Sequence, residues 1–302
     1  MSKYLITGAN GFLGSNLVKY FVGKGHQVTA VIRSRGNQDK LISHMCNIVE
    51  YDGTIESLKE VINKQTIVIH TAAYYTAEHK PDDIDTLVNS NIQYGLNLLE
   101  AMRLSGANQI VNIGTAWQGF KGETRRPVNL YAATKQAFED LIAYYCDAEN
   151  FSSISLRLND TYGELDQRMK LIKLLITSGV ENKPIDMSAG DQKINLTHID
   201  DVCSAIDQAI SKLPVSGTLK RYNLINKDQH SLKDLVKLIE TELNIIIPIN
   251  WGAKNYRSRE VMEPLASNAF PNWLAEKELV SGIRSIHNSV SDERKNKDRF
   301  NE

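Results

Sequence analysis

A tyrosine and a lysine lie four residues apart in the segment Tyr131-Ala-Ala-Thr-Lys135. On a helix, this spacing places both side chains on one face, one turn from each other. A free tyrosine loses its proton only near pH ~10, but a neighbouring ammonium favours the phenolate and lowers that pKa. The pair could therefore exchange a proton with a bound alcohol or ketone. The same spacing also occurs by chance on many helices, so its meaning depends on what precedes it.

Three glycines precede this pair in Gly8-Ala-Asn-Gly11-Phe-Leu-Gly14, between a strand pattern and an amphipathic helix pattern. Glycines at such a place permit a tight turn, let the backbone approach a pyrophosphate, and allow the helix to pack closely on the strand. The N-terminus of the helix then faces the phosphates with free N–H groups and a positive dipole end. The pattern predicts a dinucleotide site, and the alternative is a glycine turn that binds no ligand.

The segment after the second predicted strand bears on which dinucleotide binds. Dinucleotide folds commonly place an acid there to hold the adenosine ribose hydroxyls. This chain has Arg33-Ser-Arg35 instead. A carboxylate would repel a 2′-phosphate, whereas a guanidinium binds one. The sequence therefore predicts NADP (NADPH) in preference to NAD, unless the segment is only a solvated basic loop.

Short β-rich apolar runs alternate with helical patterns along the first two-thirds of the chain. The strand candidates are Tyr4–Thr7, Val28–Ile32, Ile48–Tyr51, Ile67–His70, Ile110–Ile113 and Ile154–Leu158. The helix candidates between them are Thr54–Asn63, Asp85–Leu104 and Tyr131–Asp147. This alternation predicts an α/β fold, with a Rossmann-type doubly wound parallel sheet that is covered by helices on both faces.

The pattern changes after Gly163, where helical segments are separated by longer loops. Lys170–Thr177 and Ser231–Leu243 are predicted to be helical. Ile199–Leu213 and Arg221–Ile225 are predicted to add one more helix and one more strand to the sheet.

These patterns divide the chain into two domains. Residues 1–162 are predicted to form the dinucleotide-binding domain, to which 195–226 return. Residues 163–194 and 227–290 are predicted to form a smaller C-terminal α/β domain that closes over the substrate. The polar segment 291–302 is predicted to be a disordered tail.

Composition disfavours several classes of protein. A chain of 302 residues can bury a full core, and its net charge of −1 provides no basic field for nucleic acid. No apolar run approaches the ~20 residues needed to cross a bilayer, and the N-terminal apolar stretch is too short for a signal peptide. The 3 widely spaced cysteines indicate neither a disulfide framework nor a metal site. A cytoplasmic protein is expected.

The glycine pattern and the Tyr-x-x-x-Lys pair together strongly resemble the extended short-chain dehydrogenase/reductase family of nucleotide-sugar enzymes. The resemblance covers almost the whole chain and includes His70-Thr-Ala-Ala73 and Asn91-Ile-Gln-Tyr-Gly-Leu-Asn-Leu-Leu. It implies that the cofactor is bound by Gly8, Asn10, Gly11, Phe12, Leu13, Gly14, Arg33, Asp52, Gly53, Thr71, Ala72, Ala73, Asn91, Tyr131 and Lys135.

The same resemblance assigns the catalytic groups. Thr115 matches the catalytic hydroxyl, Tyr131 the proton donor, and Lys135 the group that biases the phenol and bonds the nicotinamide ribose. These roles fit the chemistry, because a threonine hydroxyl can donate to a developing alkoxide. The alternative makes Thr115 a strand-end hydroxyl and Tyr131 a helix-surface aromatic.

The residues after Thr115 narrow the reaction. Dehydratases of the family usually place an Asp-Glu pair there, where this chain has Ala116-Trp117. Dual epimerase-reductases carry a cysteine at the position of Trp117, and an epimerase normally retains NAD, against which Arg33 argues. The pattern resembles reductases of nucleotide-linked 4-keto-6-deoxyhexoses, the CDP-abequose and CDP-paratose synthase type of polysaccharide and O-antigen sugar biosynthesis. A 4-epimerase with bound NAD, a nonenzymatic dinucleotide sensor and a scaffold are the alternatives.

Substrate contacts are expected from both domains. The predicted set is Tyr75, Thr115, Trp117, Asp160, Lys193, Arg257 and Arg259. The two arginines match a later Arg-containing region of the family and suit a diphosphate, although an arginine pair on a loop also fits surface charge. Asp160 replaces an asparagine of the family, and it either bonds a sugar hydroxyl or stabilises a turn. By analogy, the helices Asp85–Leu104 and Tyr131–Asp147 pair across a two-fold axis in a homodimer.

Overall fold

The computed structural model describes residues 2–33, 42 and 44–300, with the helical backbone alone for 295–300. Arg35, in the predicted basic segment, lies outside the described residues. Within the described part, no helix is both long and apolar enough to cross a membrane. The chain divides into a first unit, Met1–Leu158, Cys203–Leu224 and Ala266–Pro271, and a second unit, Asn159–Val202, Ile225–Leu265 and Asn272–Glu302.

The first unit is built on a parallel sheet of seven strands. Numbered along the chain, they are β1 (Lys3–Thr7), β2 (Gln27–Ile32), β3 (Asn47–Glu50), β4 (Thr66–His70), β5 (Gln109–Thr115), β6 (Ser152–Leu158) and β10 (Thr218–Leu224). Their order is β10-β6-β5-β4-β1-β2-β3, and every pairing is parallel. The strand order reverses between β1 and β4, which is where such folds bind ligands. The predicted Rossmann-type sheet is confirmed.

Helices accompany this sheet because both of its faces must be covered. They are α1 (Phe12–Gly23), α2 (Ile55–Lys59), α3 (Ile84–Val88), α4 (Tyr94–Ser105) and α5 (Leu130–Glu149). Leu5, Val68 and Ile110, on three adjacent strands, are fully buried in a core that α2, α4 and α5 cover. α4 and α5 approach closely, because a Cβ on Gly95 would come within 2.2 Å of the ring of Phe138.

The single helix predicted at Asp85–Leu104 is interrupted in the structure. Between the end of α3 and the start of α4, the residues Asn89–Gln93 form a π-helical turn. Such turns are often found at functional sites, and this one contains Asn91. Helical periodicity alone cannot reveal a π turn, because one added residue shifts the pattern only slightly.

The second unit contains, in its described residues, two small sheets and three complete helices. The strands are β7 (Asp160–Tyr162), β9 (Lys193–His198) and β11 (Gln229–Ser231) in one sheet, and β8 (Ile185–Met187) and β12 (Ile249–Trp251) in the other. The helices are α6 (Leu171–Glu181), α8 (Leu232–Leu243) and α9 (Leu279–Phe300). Ile176, Leu235, Ile239 and Ile283 belong to the buried core of this unit.

The boundaries of the units differ from the predicted domains. The sequence returns 195–226 to the first domain, but β9 pairs with β7 and β11 in the second unit. The chain rejoins the first unit only at Cys203, inside α7 (Ile199–Ser211). Pairing with the short strands β7 and β11 explains this difference, because such short strands have too few residues to show a period.

The segment Ala266–Pro271 also belongs to the first unit, although the sequence assigns it to the second domain. Asn223 of β10 holds it through the backbone. Its N–H donates to the carbonyl oxygen of Asn268 at 2.8 Å, and the N–H of Phe270 donates to the carbonyl oxygen of Asn223 at 3.0 Å. A segment held by hydrogen bonds at the edge of a sheet leaves no hydrophobic pattern of its own.

The C-terminal segment differs from the prediction as well. α9 extends to Phe300, so a helix occupies most of the predicted disordered tail. Ile283, Ile286 and Val290 are buried at helical spacing in the core of the second unit. The polar residues that follow continue the helix that this apolar face anchors, and their composition alone does not show that continuity.

Candidate active site

The turn between β1 and α1 forms the candidate dinucleotide cradle. Gly8 has a φ of 64°, and a Cβ there would lie 2.8 Å from the backbone of Ala72. A Cβ on Gly14 would lie 2.2 Å from the carbonyl oxygen of Gly8, so the fold itself requires these two glycines. Gly11 is exposed, and a Cβ there would meet only that oxygen, at 3.2 Å. Packing does not explain Gly11, whereas the close approach of a ligand does.

The start of α1 is suited to an anion. Its first turn contains no acidic side chain, so nothing there opposes the positive end of the helix dipole. Phe12 and Leu13 lie in this turn and Asn10 lies just before it, and all three are half-buried. The arrangement fits the pyrophosphate of a dinucleotide, which free N–H groups at a helix N-terminus can bind.

Thr7, the last residue of β1, ties the cradle to the end of β4. Its hydroxyl oxygen accepts the N–H groups of Thr71 at 3.2 Å and Ala72 at 3.3 Å. The same hydroxyl forms a further hydrogen bond with Nδ1 of His70, 2.9 Å away. Burial, together with the charge of Lys135, holds the pKa of His70 well below its ordinary value. The imidazole is therefore neutral.

Helix α5 carries the predicted tyrosine and lysine in its first two turns. Asn129 caps the helix by accepting the N–H of Ala132 at 2.9 Å. Tyr131 and Lys135 follow one turn apart. Lys135 is 1% exposed, and burial lowers the pKa of its ammonium to about 8 against the opposing charge of Glu139. The ammonium thus stays mostly charged at neutral pH, but it holds its proton more weakly than an ordinary lysine.

Thr115 lies at the carboxyl end of β5, where a single 3-10 turn, Ala116–Gln118, begins. Its hydroxyl oxygen accepts the N–H of Trp117 at 3.2 Å, and its own N–H donates to Oε1 of Gln118 at 2.9 Å. These two hydrogen bonds fix the backbone and one lone pair of the hydroxyl oxygen. The hydroxyl proton is left to donate, which is what a group that stabilises an oxyanion must do.

Asn91 holds the start of α5 in place. Its side chain accepts the N–H of Tyr74 at 2.7 Å and donates to the carbonyl oxygen of Tyr74 at 3.0 Å. It also donates to the hydroxyl of Thr134 at 2.9 Å, and Thr134 donates to the carbonyl oxygen of Tyr131 at 2.8 Å. The resemblance assigns Asn91 to the cofactor, and the structure adds a connection from the π turn to Tyr131.

Tyr75 and Trp117 form an aromatic face beside Tyr131. The ring centroids of Tyr75 and Tyr131 are 5.1 Å apart, and those of Tyr75 and Trp117 are 6.1 Å apart. Tyr75 follows β4 and Trp117 follows β5, so the carboxyl ends of two adjacent strands bring them together. Ala116 is buried. Ala116 and Trp117, the two residues after Thr115, therefore place neither an acid nor a base beside Tyr131.

The predicted adenosine contacts lie at the ends of β2 and β3. Arg33 is exposed directly after β2. Asp52 accepts the N–H and the hydroxyl of Thr54 at 2.8 and 2.6 Å, and these hydrogen bonds, with one from Ser57, lower the pKa of its carboxyl. Gly53 has a φ of 96°, which explains a glycine at this turn. Asp52 thus stabilises the start of α2, whatever it also contacts.

In the second unit, Asp160 is the first residue of β7. Solvent reaches its side chain, yet the surrounding protein encloses its carboxyl enough to raise the pKa. Burial is the main cause, and the charges of Lys170, Arg257 and Arg168 oppose it. The structure therefore groups Asp160 with the predicted Arg257 and adds Lys170, which the sequence did not indicate.

The other predicted residues of the second unit make different contacts. Lys193 begins β9, where its N–H donates to the carbonyl oxygen of Met262 at 2.9 Å. Its ammonium pairs with Glu263 at 3.1 Å. Arg259 is half-buried in the loop that contains Arg257.

A model of the NAD dependent epimerase/dehydratase family matches residues 4–224. The chain belongs to this family, as its sequence motifs predict. Its relatives include the CDP-abequose synthase of Yersinia pseudotuberculosis, which is 26% identical over 87% of this chain and 91% of that protein. The CDP-abequose synthase of Salmonella muenchen is also 26% identical, over 94% of this chain and 96% of that protein.

Solved structures of the family share the fold. MoeE5 in complex with UDP-glucose and NAD has a TM-score of 0.80 at 21% identity, over 97% of this chain and 99% of that one. The UDP-glucose 4-epimerase of Thermus thermophilus in complex with NAD has a TM-score of 0.79 at 21% identity, over 96% of this chain and 99% of that one. This family member is an NAD(P)-dependent sugar-nucleotide enzyme, which sets aside the sensor and scaffold alternatives.

Sequence reasoning overlooked several residues of the site. Thr7 and Thr134 act through hydrogen bonds that only the folded chain reveals. Glu139 could have been noticed in the sequence, because it lies one turn after Lys135 on the same helix face. Its contact with Gln118 could not. A carboxylate on a buried helix face must be paired with a hydrogen-bond donor or a positive charge, but the sequence does not identify which residue provides it.

Proposed function

We propose that this chain reduces a 4-keto-6-deoxy sugar linked to a nucleotide diphosphate, with NADPH as the reductant. The aromatic face carries the proposal, because Trp117 and Ala116 stand where dehydratases of the family usually have an acid pair. Neither side chain can exchange a proton with the sugar. An aromatic face also suits the apolar C6 methyl group of a 6-deoxy sugar. The identity of 26% with two CDP-abequose synthases agrees with this substrate class.

The side chains of the first unit can supply the other requirements of ketone reduction. Bound NADPH would supply the hydride to the ketone carbon. Tyr131 gives the phenol proton to the ketone oxygen, and the ammonium of Lys135 stabilises the phenolate that is left. Thr115 donates a hydrogen bond to that oxygen while negative charge develops on it. The product is an alcohol at the former ketone carbon.

We infer the preference for NADPH over NADH from Arg33. It is exposed directly after β2, at the position from which an acid would otherwise hold the ribose. A guanidinium can donate two parallel hydrogen bonds to a phosphate, and it attracts the 2′-phosphate that NADH lacks. Thr71, Ala72 and Ala73, at the end of β4, are proposed to follow the cofactor from the pyrophosphate toward the nicotinamide.

Residues of the second unit are proposed to bind the nucleotide diphosphate. Lys170, Arg257 and Arg168 place positive charge near Asp160, and such charge can bind a phosphate. Arg259 follows in the same loop as Arg257 and is proposed to join them. Lys193 would have to leave its pairing with Glu263 to join them.

We also propose a homodimer that forms through α3, α4 and α5. Large apolar side chains are exposed on these helices, and they are Ile84, Val88, Leu104 and Tyr144. Exposed apolar side chains of this kind are typical of protein interfaces. Sedimentation equilibrium of the purified chain would measure the assembly directly.

The function is tested by measuring NADPH consumption against a panel of UDP-, GDP-, CDP- and dTDP-linked 4-keto-6-deoxy sugars, with product configuration read by NMR. The proposal expects stoichiometric oxidation of NADPH with at least one sugar, and slower oxidation of NADH. The second candidate is a 4-epimerase, which the NAD-bound structural relatives favour. Purified protein that carries tightly held NAD+ and interconverts sugars without added reductant would replace our proposal with that one.

A further inference from the structure

A buried amide connects Thr115 to the helix that carries Tyr131. Gln118 is fully buried at the end of the turn that follows Thr115. Its Oε1 accepts the N–H of Thr115 at 2.9 Å, while its Nε2 donates to Oε1 of Gln136 at 3.2 Å and to Oε2 of Glu139 at 3.3 Å. Both amide protons and one lone pair are thus used, on partners that belong to two elements of the unit.

Glu139 anchors this amide. It lies two turns after Tyr131 and one turn after Lys135, fully buried on α5. It accepts from Arg157 at 2.5 Å, from Arg221 at 2.8 Å and from Ser155 at 2.7 Å. Burial alone would raise the pKa of this carboxyl, but the hydrogen bonds and charge of Arg157 and its neighbours lower it overall. Glu139 is therefore ionised, and β6 and β10 hold it in place.

We propose that Gln118 is a positioning residue, which holds the hydroxyl of Thr115 at a fixed place relative to the phenol of Tyr131. Gln118 sets the distance between the end of β5 and α5, because its partners on both elements are buried and hydrogen bonds are directional. Without it, the N–H of Thr115 would lose its acceptor and the end of β5 could shift against α5. A shift of about 1 Å between reacting groups can cost a hundredfold in rate. The inference rests on the proposed function only in giving Thr115 a catalytic role.

Two substitutions separate positioning from bulk stability. Gln118→Met keeps the approximate volume and removes both sets of hydrogen bonds. Its kcat should fall about tenfold or more, while the KM and Kd for NADPH change less than about twofold. Gln118→Glu keeps the acceptor for Thr115 but places a second carboxyl against Glu139, which raises the pKa of the new group.

The second substitution gives a pH signature that a purely structural role would not give. When the new carboxyl is protonated, it can donate to Glu139 as the amide did, so kcat relative to wild type should recover as the pH falls. When it is ionised, the two carboxylates repel each other and kcat should drop. A relative kcat that does not change with pH in this variant, or a wild-type kcat in Gln118→Met, would overturn the proposal.

Asn223→Leu is the matched control. Asn223 is also a buried amide of the first unit, and its side chain donates to the carbonyl oxygen of Ser267 at 2.6 Å. This control should lower the melting temperature and leave kcat unchanged. If it lowers kcat as much as Gln118→Met does, loss of any buried amide explains the effect and the positioning role fails.

Amide hydrogen exchange at Thr115 provides a test that needs no substrate. In Gln118→Met this amide should exchange at least about tenfold faster than in wild type, whereas in Asn223→Leu it should not change. An unchanged rate in Gln118→Met would overturn the inference even if the enzyme is active. If no sugar of the panel is reduced, the proposed function fails, but the exchange measurement still decides whether Gln118 holds Thr115.

Discussion

The ring of Tyr75 meets the ring of Tyr131 edge to face, with 5.1 Å between their centroids and 81° between their planes. Tyr75 is 44% exposed, so it contacts the candidate proton donor while part of its surface is open to a ligand. Edge-to-face pairs of this kind stabilise an orientation by about 0.5–1.5 kcal/mol. Tyr75 thus constrains the Tyr131 ring and contributes to the face proposed to bind the sugar.

Replacing Tyr75 should therefore slow turnover without abolishing it. Tyr75→Ala removes the ring contact and is expected to lower kcat/KM for the sugar by about twofold to tenfold. Tyr75→Phe keeps the ring and should retain most of the activity. Steady-state kinetics of the two variants measures both effects. An equal loss of kcat/KM in both would show that the Tyr75 hydroxyl, rather than its ring, contributes to turnover.

Tyr131→Phe should abolish turnover while NADPH binding stays nearly intact. The substitution removes the phenol proton, but it keeps the ring and leaves the hydrogen bond from Thr134 to the carbonyl oxygen at position 131. Cofactor binding followed by NADPH fluorescence, beside the activity assay, separates the two effects. Full activity in this variant would remove Tyr131 from the proposed chemistry.

Lys135→Met should raise the melting temperature by a few degrees at neutral pH and abolish activity. Burial lowers the pKa of Lys135 to about 8, so the folded state holds this charge at a cost that a neutral side chain avoids. Between that pKa and the ordinary lysine value of ~10.4, the unfolded chain binds more protons, so wild-type stability rises with pH. As the pH rises through this window, the melting temperature of wild type should approach that of Lys135→Met. A constant difference would mean that Lys135 is not buried as a charge.

Two glycine substitutions should separate ligand approach from folding. A Cβ at Gly11 meets one oxygen at 3.2 Å, so Gly11→Ala should fold with nearly the wild-type melting temperature and lose NADPH affinity by about tenfold or more. A Cβ at Gly14 would lie 2.2 Å from the oxygen of Gly8, so Gly14→Ala should be strongly destabilised. Thermal melts and NADPH titrations measure both. Unchanged affinity in Gly11→Ala would place the pyrophosphate elsewhere.

Arg33→Asp should weaken NADPH binding far more than NADH binding. The new carboxylate would repel the 2′-phosphate of NADPH, and it could accept hydrogen bonds from the ribose hydroxyls of NADH. A shift of tenfold or more in the ratio of the two Kd values is expected, at about 1.4 kcal/mol per tenfold. The control is Lys59→Asp, an exposed basic residue of α2, which should leave that ratio unchanged. Equal weakening of both cofactors by Arg33→Asp would mean that the 2′-phosphate lies elsewhere.

Features that are local in sequence were predictable. The alternation of apolar runs with helical patterns requires only neighbouring residues, so the parallel sheet and most of its strands could be derived before any coordinates. The glycine turn and the Tyr131–Lys135 spacing are likewise local. Boundaries were less predictable where short strands decide them, as for β9, and where one edge residue, Asn223, holds a distant segment.

The sequence by itself determined the fold class, the dinucleotide turn and the identity of the candidate acid–base pair, because each depends on residue types at fixed short spacings. Only the tertiary structure decided that Thr7 locks two strand ends together, that Gln118 joins Thr115 to α5, and that Lys135 has a pKa of about 8. Those properties depend on burial and on hydrogen bonds between residues far apart in the chain. Neither quantity is encoded in any local pattern, since both exist only after the elements have packed.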